Sequence, residues 1–256
     1  MSRFEGKNVL ITGASAGIGQ AATARFIAEG ATVFGLGRSS EGLKETEAMV
    51  EDPTRFASHQ VDMLEDASIV EAVRAAAEHL DGRFDVVCNI AGVTLNTPID
   101  AFDPARARDI VQVNFVGPLS LISAAVPHMP ANAGASIINI CSSSATQAVP
   151  TLAAYAGSKA ALVTASFTLA IELAPKRIRV VPISPSGVQT KMMWEIWEQV
   201  KDYEGDWFSR LIHPWGQEES GQAADLAGFI AFAASKEAVY WNGAELRVDG
   251  AARASF

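Results

Sequence analysis

Two rhythms of apolar residues alternate along this chain. Short β-branched and apolar runs predict strands at 9–12, 32–36, 56–61, 85–89, 136–141, 179–183 and 244–248. Between them, apolar residues recur at helical spacing. The stretch 20–30 places Ala21, Ala24, Ile27 and Ala28 on one face and stops at Gly30. A helix over 43–51 ends before Pro53, and one over 67–80 turns Ile69, Val73, Ala76, Ala77 and Leu80 inward. A long helix over 104–129 opens on Asp103 as its N-cap and contains Pro118, which is expected to bend it. Two more helices are predicted over 152–173 and 218–234. Strands alternating with helices imply an α/β fold: a doubly wound, seven-stranded parallel sheet with helices on both faces. Near-continuous apolar runs in the first, fourth and fifth strands suit strands buried on both sides.

Composition narrows the class. The chain has 256 residues, 49% apolar and 19% charged, which fits one large domain spanning 1–256 and excludes a disordered chain. The net charge of −9 comes with no basic stripe, so no nucleic-acid partner is expected. The opening residues lead straight into the first strand without a leader pattern. No uninterrupted apolar run approaches the ~20 residues of a membrane span. A cytoplasmic protein without a membrane partner is expected. Cys88 and Cys141 lie in apolar runs and read as small buried hydrophobes. The histidines have no metal spacing, so no metal site is expected.

Two motifs carry chemistry. Gly13, Gly17 and Gly19 fall between the first strand and the helix after it. Glycines there let the backbone approach a pyrophosphate, and the helix N-terminus offers free N–H groups and a positive dipole end. Further on stand Ser142, Tyr155 and Lys159. Tyr155 and Lys159, four apart, share a helix face. A lysine charge beside a phenol favours the phenolate, and a phenol can then pass a proton to or from an alcohol oxygen. Ser142, at a strand end, is placed to hydrogen-bond that oxygen as charge develops on it.

The spacing Thr12-Gly-x-x-x-Gly-x-Gly19, together with Ser142 and Tyr155-x-x-x-Lys159, resembles the short-chain dehydrogenase/reductase family, from about residue 7 to residue 250. The resemblance implies a Rossmann-type fold and hydride transfer between a nicotinamide dinucleotide and a secondary alcohol or ketone. It implies that Asp62, with Met63, contacts adenine. Asn89-Ile-Ala91-Gly92 stands where the family has Asn-Asn-Ala-Gly. Asn114 matches a structural and catalytic asparagine that helps hold a relay water, and Lys159 also binds the nicotinamide ribose. Ser15 and Ile18 belong to the phosphate turn. Pro185, Val188 and Thr190 match the turn beside the nicotinamide carboxamide, with Ser186 in place of a glycine. Family members are often tetramers or dimers built on the two long helices, so a homo-oligomer is expected.

The second strand ends Gly35-Leu-Gly37-Arg38-Ser39-Ser40. An acid at position 37 would bond the ribose 2′-hydroxyl of NAD. Gly37 cannot, while Arg38 and Ser39 suit a 2′-phosphate. NADP is favoured and NAD stays open.

Residues 186–217 carry four of the chain's five tryptophans between the sixth strand and the last helix. Met193, Trp194, Trp197, Tyr203, Trp207, Phe208 and Leu211 fall in this stretch, with Trp194 and Trp197 spaced to neighbour on a helix. It reads either as packing onto the body or a subunit interface, or as an apolar lid over a hydrophobic alcohol or ketone, such as a terpenoid, steroid or aryl carbinol. Val93, Leu95, Ala148, Val149 and Leu152 are expected to line the other side. The alternative is a non-catalytic nucleotide-binding regulatory protein of the same fold.

Overall fold

The computed structural model describes residues 2–201 and 221–252. Seven parallel strands form one sheet: β1 (Asn8–Thr12), β2 (Thr32–Gly37), β3 (Phe56–Gln60), β4 (Val86–Asn89), β5 (Ser136–Ile140), β6 (Arg179–Pro185) and β7 (Leu246–Val248). Their spatial order is β3-β2-β1-β4-β5-β6-β7. Register follows the apolar runs: Ile11 pairs with Gly35 on one side and Cys88 on the other, and Ile138 pairs with Val181.

Alternate strand residues feed two cores, as the two-residue period of a strand requires. Val9, Ile11, Ile138 and Val181 pack with Phe26 of α1 (Gly17–Ala28) and Ile230 of α8 (Ala223–Ala234). Leu10, Val87, Ile137 and Val180 pack on the other face against α3 (Asp66–His79), α5 (Gly117–Ala125) and α6 (Ala153–Glu172). The remaining helices are α2 (Ser40–Met49), α4 (Pro104–Val111) and α7 (Lys191–Val200). The predicted start of the last helix at 218 lies outside the described residues.

Two elements depart from the sequence pattern. Helix α1 begins at Gly17, inside the glycine turn, with Ala16 as its N-cap and no side-chain cap. The long helix 104–129 is composite. Asp103 caps α4 as expected, donors being the Ala105 and Arg106 N–H groups, but a π-helical turn over Gln112–Val116 separates α4 from α5. Pro118 lacks an N–H and enforces the break just upstream. By length and composition the run Pro104–His128 could cross a membrane, although no uninterrupted apolar stretch in the sequence suggested it. Here it packs through Ile110, Leu121 and Ile122 onto the core.

Neighbouring strands β1 and β4 continue to opposite edges of the sheet, the switch point at which α/β sheets open a crevice beyond the strand carboxyl ends.

Candidate active site

A cleft of about 860 Å³ occupies that crevice, lined from the ends of β1, β2, β4, β5 and β6 and roofed by α7. Its floor at the β1 end is built by absent side chains. Gly13 adopts φ +75°, and a Cβ there would lie 2.8 Å from the Ala91 nitrogen. A Cβ on Gly19 would lie 2.0 Å from the Gly13 carbonyl oxygen. Neither position admits any side chain. The Thr12 hydroxyl accepts from the N–H groups of Ile90 (3.0 Å) and Ala91 (3.1 Å), tying the loop after β4 to the turn after β1. Helix α1 therefore points an N-terminus with no side-chain cap and no acid in its first turn into the cleft. This cradle fits a dinucleotide pyrophosphate. Gly13, Ser15, Gly17, Ile18 and Gly19 all border it.

Farther along, Arg38, Ser39, Asp62 and Met63 line the same cleft. Ser39 Oγ accepts from Gly42 N–H at 3.0 Å as the N-cap of α2. Arg38 is exposed, and no ion pair engages it among the described residues. Gly37 carries no acid for a steric reason: a Cβ would sit 2.8 Å from the Ser15 side chain. Glu41 and Glu45 border this end too, and their charges oppose a phosphate.

The proton-handling residues meet at the centre. Ser142 lies two residues beyond β5, while Tyr155 and Lys159 lie on α6; all three are buried and line the cleft. The Ser142 hydroxyl lies close enough to the Tyr155 phenol to draw its pKa down. Burial pushes the phenol pKa up, against that pull, and pushes the Lys159 ammonium pKa down. The expected lowering of Tyr155 by Lys159 is thus not what this arrangement gives. Lys159 Nζ instead donates to the Ile140 carbonyl at 2.9 Å, and desolvation outweighs the other influences on the phenol. Cys141, next to Ser142, is raised to about 12 by burial and stays a thiol.

Several expected site residues sit elsewhere. Asn89 is buried outside the cleft, and its amide donates to Asn139 Oδ1 at 2.8 Å, bracing β4 against β5. Asn114 is fully buried in the π-helical turn. Its Oδ1 accepts from Val93 N–H (2.8 Å), and its Nδ2 donates to the Val93 carbonyl (2.9 Å) and Ser158 Oγ (3.1 Å). That clamp holds the loop carrying Gly92 and Val93, and at Gly92 the Asn114 Oδ1 and Lys159 Nζ converge: a Cβ there would meet them at 3.3 and 3.2 Å. Ala148 is exposed away from the cleft. Leu152 is buried beneath Tyr155 in a small cluster with Ile110.

On the substrate side, Val93, Leu95, Met193 and Trp197 line the cleft as expected, and Thr94, Lys191, Met192 and Ile196 join them. Trp194 does not: it is 49% exposed on the outer side of α7. The inward set Met193, Ile196, Trp197 and Val200 follows i, i+3, i+4, i+7 spacing, which leaves Trp194 off that face. The predicted contacts of Tyr203, Trp207, Phe208 and Leu211 lie outside the described residues. Pro185, Val188 and Thr190 reach the cleft. The left-handed residue of this turn is Gly187 (φ +61°), so the glycine missing at Ser186 is supplied one position later. Thr190 caps α7 and touches the glycine turn; its Cγ2 lies 3.2 Å from where a Gly17 Cβ would be.

The signature of the short chain dehydrogenase family matches residues 7–201. An uncharacterised oxidoreductase of Methylorubrum extorquens is 36% identical over 99% of this chain and all of its own length. The 3-oxoacyl-[acyl-carrier-protein] reductase of Thermotoga maritima is 32% identical over 97% of this chain and 98% of its own. The crystal structure of levodione reductase superposes with a TM-score of 0.89 at 26% identity, covering 99% of this chain and all of that one. With the glycine cradle, the Ser142–Tyr155–Lys159 centre and the seven-stranded parallel sheet in place, these likenesses make the chain a member of the short-chain dehydrogenase family of oxidoreductases.

Proposed function

We propose that the protein interconverts a secondary alcohol and its ketone with NADP(H), the apolar part of the substrate lying under α7. The observation that carries this reading is the meeting of Ser142, Tyr155 and Lys159 in one cleft with the glycine cradle. The nicotinamide dinucleotide, when bound, supplies or accepts the hydride. The chain's own groups manage the oxygen. Ser142 holds the carbonyl oxygen as negative charge grows on it, and Tyr155 delivers its phenolic proton to the same atom. Lys159, one helical turn on, is held in the same buried centre by the Ile140 carbonyl at 2.9 Å, where it can bind the nicotinamide ribose. A purely regulatory role is not favoured, since nucleotide sensing needs none of these three side chains.

Arg38 and the side-chain-free Gly37 support NADP over NAD: an arginine fork suits a 2′-phosphate, and the position of an NAD-selecting acid is sterically closed. The apolar faces of Met193, Ile196 and Trp197 support a substrate with hydrocarbon bulk. Val111, Phe167 and Ile171 leave apolar surface on α4 and α6, consistent with a homo-oligomer built on those helices. The test is kcat/KM for NADPH and NADH across a ketone panel, followed by the absorbance of the reduced nicotinamide. NADPH should be preferred at least about tenfold, and Arg38→Ala should remove most of that preference. A preference for NADH in the unmodified enzyme would overturn the assignment to NADP.

A further inference from the structure

Tyr155 is the third residue of α6, and the Leu152 N-cap of that helix makes no side-chain hydrogen bond to its first turn. A first turn without a cap frays readily, because its N–H groups have no partners within the helix. A tie lies just ahead of this one. The Thr151 carbonyl accepts twice from Thr97, from its N–H at 2.9 Å and from its Oγ1 at 3.0 Å. Thr97 is buried on the loop after β4, just beyond the cleft-lining Val93, Thr94 and Leu95. Each end of the tie abuts a proline, Pro98 or Pro150, whose ring fixes φ and stiffens the loop. Apolar contacts continue the link, with Val93, Leu95 and Val149 packing against Leu152 and Tyr155 in one cluster. Thr151 itself is costly on two counts. Its φ of +65° is left-handed, where a β-branched residue is an outlier. Its Oγ1 is buried and has no hydrogen-bond partner among the described residues. Such a conformation persists only where the surroundings hold it, and the two Thr97 donors do so.

We infer that Thr97 is a positioning residue for Tyr155, acting through the Thr151 carbonyl. The tie holds the first turn of α6 against the cleft wall formed by Val93, Thr94 and Leu95, so the phenol and the wall keep one separation. This rests on the reductase reading above and deepens it, because the tie sets where the phenol stands relative to a ketone lying along that wall. The wall is pinned at both ends: Asn114 holds Val93 through its N–H and its carbonyl, and Thr151 holds Thr97. Loss of the Thr97 hydroxyl frees Thr151 to relax toward negative φ. Its carbonyl then swings away and the turn carrying Tyr155 loosens. The apolar roof of α7 is not part of the tie, so the loss falls on kcat more than on KM.

Three variants test the tie in the full-length enzyme. Thr97→Val keeps the shape and the N–H but removes the hydroxyl donor. It should lower kcat for the best substrate of a ketone panel about tenfold while KM changes less than about twofold. The Kd of the better-bound cofactor, NADPH or NADH, read by nucleotide fluorescence, should not change. Thr97→Ser keeps the donor and should hold kcat within about twofold of the unmodified enzyme, a rescue that general damage to the fold would not show. Thr151→Gly takes the left-handed backbone without strain and leaves the carbonyl in place, so it too should hold kcat within about twofold. Hydrogen exchange gives a readout apart from turnover. The Ala156 N–H, bonded to the Leu152 carbonyl at 2.8 Å, should exchange about tenfold faster in Thr97→Val, while the amides of residues 162–170 keep their rates. An unchanged kcat or an unchanged Ala156 exchange rate in Thr97→Val would overturn the proposal. So would a Thr97→Ser variant as slow as Thr97→Val, or an equal loss in Thr151→Gly, which would assign the effect to the Thr151 side chain. With an unmodified enzyme that reduces ketones, these results refute the tie alone. Turnover of no ketone with either cofactor refutes the reductase reading and the positioning role with it.

Discussion

The two ends of the cleft are built from different materials. At the β1 end the ligand-facing groups are backbone. Gly13 and Gly19 have no room for a Cβ, Thr12 bridges two N–H groups of the next loop, and the Thr46 hydroxyl donates to the Ala14 carbonyl at 2.7 Å. At the α7 end the ligand meets side chains. The segment is held by the Gln189 N–H donating to the Gly221 carbonyl (2.8 Å) and by the Thr190 cap, and its exposed Lys191–Glu195 pair is 3.9 Å apart. A site made of backbone can take almost no substitution. One made of side chains can exchange them without disturbing the sheet. The first end thus specifies the kind of reaction, and the second specifies what undergoes it.

Breaking the chemistry at the junction of the two ends should have the largest effect. Tyr155→Phe removes the proton donor, so turnover should fall about a thousandfold or more while cofactor still binds, as read by nucleotide titration. Near-normal turnover in that variant would remove Tyr155 from the mechanism. Next comes the backbone-built end. Thr12→Val strips the acceptor from the Ile90 and Ala91 N–H groups, and an unmet buried donor costs about 1–3 kcal/mol. The variant should melt several degrees lower and bind cofactor more weakly; an unchanged melting temperature would show that those donors find other partners. Smallest and most discriminating is the pair on α7. Trp197→Ala should raise KM for the best ketone about tenfold, whereas Trp194→Ala should change it less than twofold, because only Trp197 lines the cleft. Equal effects would mean that the outer face of α7 also contributes to substrate binding.

The same contrast governs what could be read from the sequence. The seven strands, the glycine turn and the grouping of Tyr155 with Lys159 rest on local patterns: apolar runs, glycines at a strand end, a four-residue helical spacing. Each has a direct physical signature in the chain. The side of α7 that turns inward was also written there, in the spacing of Met193, Ile196, Trp197 and Val200, but large tryptophans drew attention to Trp194. Asn89 and Asn114 were recognised as site residues, whereas their brace and clamp roles depend on Asn139, Ser158 and Val93, partners distant in sequence that only the fold brings together. The electrostatic balance at Tyr155 is hidden for a similar reason. A lysine four residues on is visible in the sequence; the burial that pushes the phenol pKa up is not.

The π-helical turn at Gln112–Val116 has one more effect. A widened turn adds a residue to a continuous rod and so advances everything beyond it by about 100° around the axis. Before the turn, Ile110 of α4 faces Leu152 and Tyr155; after it, Leu121 and Ile122 of α5 face the core shared with α3. The turn acts as a phase shifter. It lets one rod serve two addresses in the molecule, and a strictly regular helix of the same sequence would have to abandon one of them.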